Sequence, residues 1–242
     1  MAKIDPGLKG RDIRPAFKAF NRVHIPGFLT ADSAAEVHQA LAHENLWVRS
    51  TISGGKNADI PVETLEALTP DQYRDFMAVA HAEVPRGLHF MFDTVRISTD
   101  IENDRPVRPV YRALHDLLNS DAFLGFVCEM TGDDRPRYVD SQATRFQPGH
   151  YLNQHNDAHD RRERLYAYVL SLTPDWQADW GGLLAFIDDD GHVPEAYTPK
   201  FNALNLFTVP FEHAVTYVAP FAGGNRLSVT GWIRSDKPVS AA

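Results

Sequence analysis

Residues 155–160 read His-Asn-Asp-Ala-His-Asp, two imidazoles and two carboxylates in six positions, and a further histidine, His213, stands in "TVPFEHAVTYV" just ahead of an alternating run. Taken singly they are ordinary, because Asn, Asp and His fill turns by bonding nearby backbone. Taken together, His155, Asp157 and His213 offer two imidazoles and one carboxylate, the facial set that leaves neighbouring positions open on non-haem iron. In an extended segment His155 and Asp157, two apart, leave the same face. A rival grouping pairs His155 with His159, four apart, as a helical zinc site. It requires a helix through "HNDAHDRRER" and lacks the Glu that follows the first His in zinc peptidases. His192 belongs to "IDDDGHV", which reads as an Asp190-Gly191 turn and lacks the alternating ligands and closing Glu of a calcium loop.

A second group lies in "GGNRLSVTGW", where Arg226, Ser228 and Thr230 share one face of a strand. A guanidinium flanked by hydroxyls suits a carboxylate, through two parallel charge-assisted hydrogen bonds. Three polar side chains turned into a small sandwich would be costly without a ligand. The opposite orientation, with Leu227 and Val229 inward, fits the same alternation, and pattern alone leaves both open.

The elements that must carry these side chains fall into two halves. "VHIPGFLTADSAAEVHQAL" predicts a strand feeding a helix, "LTPDQYRDFMAVAHAEV" a capped helix with Pro in its first turn, and "VRPVYRALHDLLNS" and "DAFLGFVCEMTG" two more. "STISGGKNADI" reads as a mobile connection, a lid over the site. After residue 135 the pattern becomes short runs rich in Val, Tyr, Phe, Thr and Leu, spaced as in an antiparallel sandwich: "YVDSQATRF", "RLYAYVLSL", "GGLLAFI", "ALNLFTV", "AVTYV" and "RLSVTGWIR". The expectation is one domain over residues 1–242, α+β with a mainly β core, its helix-rich front (1–135) packed on one sheet of a β-rich back (136–236). The 242 residues, 43% hydrophobic and 23% charged, are enough for one large core. A net charge of -8 gives no general attraction to nucleic acid or anionic membrane. The single cysteine, Cys128, excludes an internal disulfide and reads as a buried small hydrophobe. No signal-like or membrane-crossing segment is seen, and a cytoplasmic location is the default.

The order His155-x-Asp157, "WGG", His213, Arg226-x-Ser228 and Trp232, in the setting of "RFQPGHYLNQHND", "RLYAYVLSLTPDWQADWGGLLAF", "FEHAVTYV" and "NRLSVTGW", resembles the prolyl 4-hydroxylase-like family of iron(II)/2-oxoglutarate dioxygenases. The resemblance covers residues 138–234 and extends to "VHIPGFLTADSAAEV". It implies a double-stranded β-helix, a jelly-roll relative, with the cofactor between its sheets. It implies Fe(II) on His155, Asp157 and His213, 2-oxoglutarate gripped by Arg226 with help from Ser228, and O2 as co-reactant, with ascorbate as a possible reductant. The family's usual tyrosine after the metal motif is replaced by Leu170-Ser171-Leu172, so Ser171, Tyr151 and Tyr168 are the candidates for a second hydroxyl. The implied reaction is hydroxylation, with release of succinate and carbon dioxide; Asp157 stands where a halogenase would need room for chloride. A prolyl residue of a protein or peptide is the family-weighted substrate. A small molecule is the alternative, and a catalytically silent binding module the competing class.

Overall fold

In the computed structural model, which describes residues 2–236, the chain opens with helix α1 (Gly10–Phe20), strand β1 (Arg22–Pro26) and helix α2 (Ala31–Ala42). Gly27, at φ +65°, makes the break after β1. The hairpin β2 (Val48–Ser53) and β3 (Lys56–Pro61), the short α3 (Val62–Glu66), α4 (Pro70–Glu83) and β4 (Phe90–Val95) follow. Thr69 and Gln72 form a reciprocal capping box at the start of α4. Helices α5 (Ile97–Glu102), α6 (Pro109–Leu118) and α7 (Asp121–Thr131) complete the front, and Gly132 closes α7 in the left-handed conformation. The back consists of β5 (Tyr138–Val139), β6 (Gln142–Phe146), β7 (Tyr151–His155), β8 (Arg164–Leu172), β9 (Leu184–Phe186), β10 (Glu195–Tyr197), β11 (Phe201–Thr208), β12 (His213–Val215) and β13 (Arg226–Arg234).

The strands form one antiparallel path, β1-β11-β8-β13-β6-β4-β7-β12-β9-β10, with β2 and β3 beside β4, and β5 beside β13. Val169 and Arg226 from one stretch of this path and Leu152 and Val215 from another line the same cavity, so the sheet curls over on itself as a jelly roll. Alternation along the strands decides which side chains enter it. Tyr168, Leu170 and Leu172 of β8 and Leu227, Val229 and Ile233 of β13 face the helices, in a core shared with Val37, Leu41, Leu114, Leu118 and Phe123. Each such fully buried leucine contributes roughly 1.5–3 kcal/mol. Arg226, Ser228 and Thr230 therefore point inward, and the opposite orientation is set aside.

Three features depart from expectation. α1 has no counterpart in the sequence reading, because Pro15 interrupts its pattern; it is held by close packing on α7, where a Cβ on Gly10 would lie 2.4 Å from the Phe126 carbonyl oxygen. The front half supplies three strands, β2, β3 and β4, beyond the expected β1, and β4 lies between β6 and β7, so the two halves interleave in one sheet. Cys128 is half-buried on α7, a free thiol whose pKa burial pushes up. Residues 237–242 lie outside the described residues. No helix among the described residues is long and apolar enough to cross a membrane.

Candidate functional site

His155 closes β7, His213 opens β12, and the two are partners in the antiparallel ladder. The register slips between that pair and Val215–Leu152. The bulge turns His155 toward the cavity beside Leu152, while Tyr151 faces away. Asp157 lies past the strand end at φ +63°, a left-handed conformation that aspartate tolerates better than most residues. The turn carries its carboxylate back between the imidazoles, Oδ1 3.4 Å from His155 Nε2 and Oδ2 3.4 Å from His213 Nε2. His155 and Asp157 thus meet through a turn, and the shared strand face expected from their spacing does not exist.

Each imidazole Nδ1 donates to a main-chain carbonyl, His155 to Asn153 at 2.9 Å and His213 to Phe211 at 2.7 Å. Those carbonyls hold a proton on Nδ1 of each ring, so Nε2 is the atom that faces Asp157 and the one a metal ion would take. One ligand atom from each of the three residues lies within 4.8 Å of the others. Ligands about 2.0–2.1 Å from an ion and at right angles to one another stand about 3 Å apart. The donor set fits one small dication. Burial opposes charge on Asp157, but its hydrogen bonds with the two imidazoles hold the carboxyl well below the usual range. On His155, burial pulls downward and the same contact with Asp157 raises its pKa overall. Arg164 Nη1 donates to the Asp157 carbonyl at 2.9 Å, and its guanidinium stacks 3.5 Å over the Trp232 ring. Residues 156–163 are not helical, and exposed His159 accepts the amides of Arg161 and Arg162 within its own turn. The helical zinc pair has no basis.

Arg226 is 3% exposed and packs over the Phe146 ring. The only hydrogen bond of its guanidinium among the described residues is a long one to Ser228 Oγ at 3.4 Å, and Nε has none. Burial pulls its pKa down to about 10. A guanidinium held this way calls for an anion. Gly182, the last residue of "WGG", makes room for it: at φ +65°, a Cβ there would stand 3.2 Å from Arg226 Cδ and 3.3 Å from the Trp176 ring.

The three hydroxyls proposed to assist Arg226 are engaged elsewhere. Ser171 Oγ accepts the Lys200 amide at 3.1 Å; the Tyr151 hydroxyl bonds His89 Nδ1 at 2.9 Å on the far side of β7; and the Tyr168 hydroxyl donates to the Asp140 carbonyl at 3.0 Å. Tyr168 belongs to the face of β8 that packs on the helices. A hydroxyl beside the guanidinium's only partner is that of Thr144, which lines the cavity opposite Ser228 in the ladder, with Oγ1 2.8 Å from Ser228 Oγ. It was not singled out because nothing local in "QATRF" names its strand partner.

The cavity, about 760 Å³, is also bordered by Ser50 and Asn57 of the β2–β3 hairpin. "STISGGKNADI" is therefore a paired β-hairpin, where an irregular connection was expected. Gly54 and Gly55, at φ +59° and +74°, make its turn. Glu83 accepts the Gly54 amide at 3.1 Å, His89 Nε2 lies 3.1 Å from the Ile52 carbonyl, and Arg96 pairs with Asp59 at 2.9 Å. Half-exposed pairs of this kind contribute about 0.2–1 kcal/mol. Amide exchange over residues 50–60 should rise up to about fivefold in Arg96→Ala and fall when substrate is added. Identical exchange in all three states would show that the hairpin is a fixed wall.

Residues 141–234 match the 2OG-Fe(II) oxygenase superfamily. Over 172 residues, 66% of its length, the chain is 28% identical to prolyl 3-hydroxylase OGFOD1 of Mus musculus, of which it spans 30%. In structure it is similar to a 2OG-Fe(II) oxygenase family oxidoreductase from Burkholderia pseudomallei, with TM-score 0.62, 14% identity and coverage of 98% and 96% of the two chains. It is also similar to a Pseudomonas putida prolyl-4-hydroxylase, with TM-score 0.59, 16% identity and 98% coverage of both. At these identities the two structures establish the shared fold.

Proposed function

We propose that the chain acts as one domain, as an iron(II)- and 2-oxoglutarate-dependent dioxygenase that hydroxylates a prolyl residue of a protein or peptide with release of succinate and carbon dioxide; the match of residues 141–234 to the 2OG-Fe(II) oxygenase superfamily and the grouped His155, Asp157 and His213 support this reading. One observation carries the substrate class. The cavity over the triad adjoins a second, of about 620 Å³, and the two share Asn156 and Glu212. A small ligand needs about 300–1,000 Å³ in all, whereas a polypeptide needs a groove that continues past the reacting residue. The names of the mouse and Pseudomonas proteins, a prolyl 3- and a prolyl-4-hydroxylase, support the prolyl reading and differ on ring position.

When bound, iron couples oxidative decarboxylation of 2-oxoglutarate to transfer of one oxygen atom into a C–H bond. The chain supplies position and charge. His155, Asp157 and His213 would hold the ion, with Asp157 offsetting part of its charge. Arg226 would take the far carboxylate of 2-oxoglutarate, with the hydroxyls of Thr144 and Ser228 beside it. Phe146 and Val215 keep that end of the cavity dry.

The test is to supply Fe(II), 2-oxoglutarate, O2 and a panel of proline-containing peptides, and to follow succinate together with peptide mass. The expected result is one succinate for each oxygen atom gained by a proline, with NMR giving the ring position. Succinate that accompanies oxidation of some other residue, or of a small molecule only, would end the prolyl proposal. Binding of 2-oxoglutarate without succinate under any condition would favour a silent binding module.

A further inference from the structure

We propose that Glu212 is a positioning residue for the metal ligands, a clamp that ties the segment bearing His155 and Asp157 to the strand bearing His213. Glu212 immediately precedes His213. Its Oε1 accepts from Asn156 Nδ2 at 2.9 Å and its Oε2 from Gln154 Nε2 at 3.0 Å, the two residues on either side of His155. Asn156 also stands between His155 and Asp157, and its Oδ1 accepts the Ala158 amide at 3.1 Å. One amide side chain thus spans the turn that presents the carboxylate ligand, and Glu212 holds that amide from the opposing strand.

The need for a clamp follows from the ladder. His213–His155 is the last pair between β12 and β7, a bulge adjoins it, and Asp157 lies beyond the strand in a left-handed conformation. Strand pairing therefore sets the distance between the histidines and leaves the aspartate to the turn. Arg164 fixes that turn from the β8 side through the Asp157 carbonyl, and Glu212 fixes it from the β12 side. Glu212 is itself anchored, since its carbonyl accepts the Ile187 amide at 2.9 Å, next to β9. Both carboxylate oxygens are given to neutral amides, and no cation pairs with them among the described residues.

The inference rests on the triad being the iron site, and its test separates the two. Co(II) is titrated into the metal-free protein and followed by its visible d–d absorption, with thermal melts to confirm folding. Glu212→Ala and Asn156→Ala should each weaken Co(II) binding by roughly 10–100-fold, as partners of metal ligands commonly do. The double variant should lose less than the two single losses combined, because the residues share the Glu212–Asn156 contact. Glu212→Gln, which keeps one acceptor oxygen, should recover part of the loss. Parent-like affinity in Glu212→Ala and Asn156→Ala, with His213→Ala binding lost, would overturn the clamp and leave the metal site standing. Losses that simply add in the double variant would overturn it as well. Unchanged affinity in His213→Ala would remove the triad and the clamp together. Should Glu212→Ala fail to fold, Asn156→Ala alone carries the same comparison.

Discussion

Arg226→Ala should bind iron(II) as the parent does and show a KM for 2-oxoglutarate raised by about two to three and a half orders of magnitude, the equivalent of roughly 3–5 kcal/mol. The size of the effect follows from burial. At 3% exposure and with no carboxylate partner among the described residues, Arg226 would meet the far end of the cosubstrate out of water. Without it, that carboxylate faces the ring of Phe146 and the hydroxyls of Thr144 and Ser228. Arg226→Lys should restore only part of the affinity, because an ammonium keeps the charge and gives up the two-pronged geometry. Steady-state kinetics with 2-oxoglutarate varied, beside an anaerobic metal titration, separates cosubstrate from metal. A KM within a few-fold of the parent in Arg226→Ala would remove Arg226 from the cosubstrate pocket.

Loss of any member of the triad should go further and abolish turnover. His213→Ala and Asp157→Ala should each weaken iron binding by more than the roughly 10–100-fold typical of residues that only support ligands. In Asp157→Ala two neutral imidazoles remain, with nothing to offset the dication. His159→Ala should bind iron normally, since its ring serves the turn at Arg161 and Arg162. Anaerobic Fe(II) titration of the three variants is the measurement, and unchanged affinity in His213→Ala would mean that the ion sits elsewhere.

Much of this site was legible because its carriers repeat with period two. The alternation of "RLSVTGWIR" reduced the problem to two orientations, which pattern alone left open, and the family resemblance favoured the one with Arg226 and Ser228 inward. The triad was legible from residue type, but the reason given for bringing His155 and Asp157 together was wrong. Spacing reports the face of a regular strand and is blind to a bulge at residues 152–155 or a left-handed Asp157. The same blindness explains the misplaced Tyr151, which faces away from its strand neighbour Leu152. Ser171 shares the inner side of β8 but is drawn off by the Lys200 amide, a contact across 29 positions. Thr144 and Glu212 escaped notice for the converse reason: their partners are set by strand pairing, and nothing in their own neighbours announces it.

The position of β4 limits how this protein can be cut and recombined. The segment that matches the superfamily, residues 141–234, contains every side chain assigned here to iron or 2-oxoglutarate, which makes it look portable. Yet β6, which runs beside the strand of Arg226, and β7, which ends in His155, are joined through residues 90–95. A fragment starting at residue 136 would keep all of those side chains and lose the seam between the strands that carry them. It would also bare the N–H and C=O groups of β6 and β7, two edges free to pair with other molecules. Grafting or library shuffling that respects this chain must carry β4 with the barrel, and a shortened protein would be an aggregation hazard before it was a catalyst.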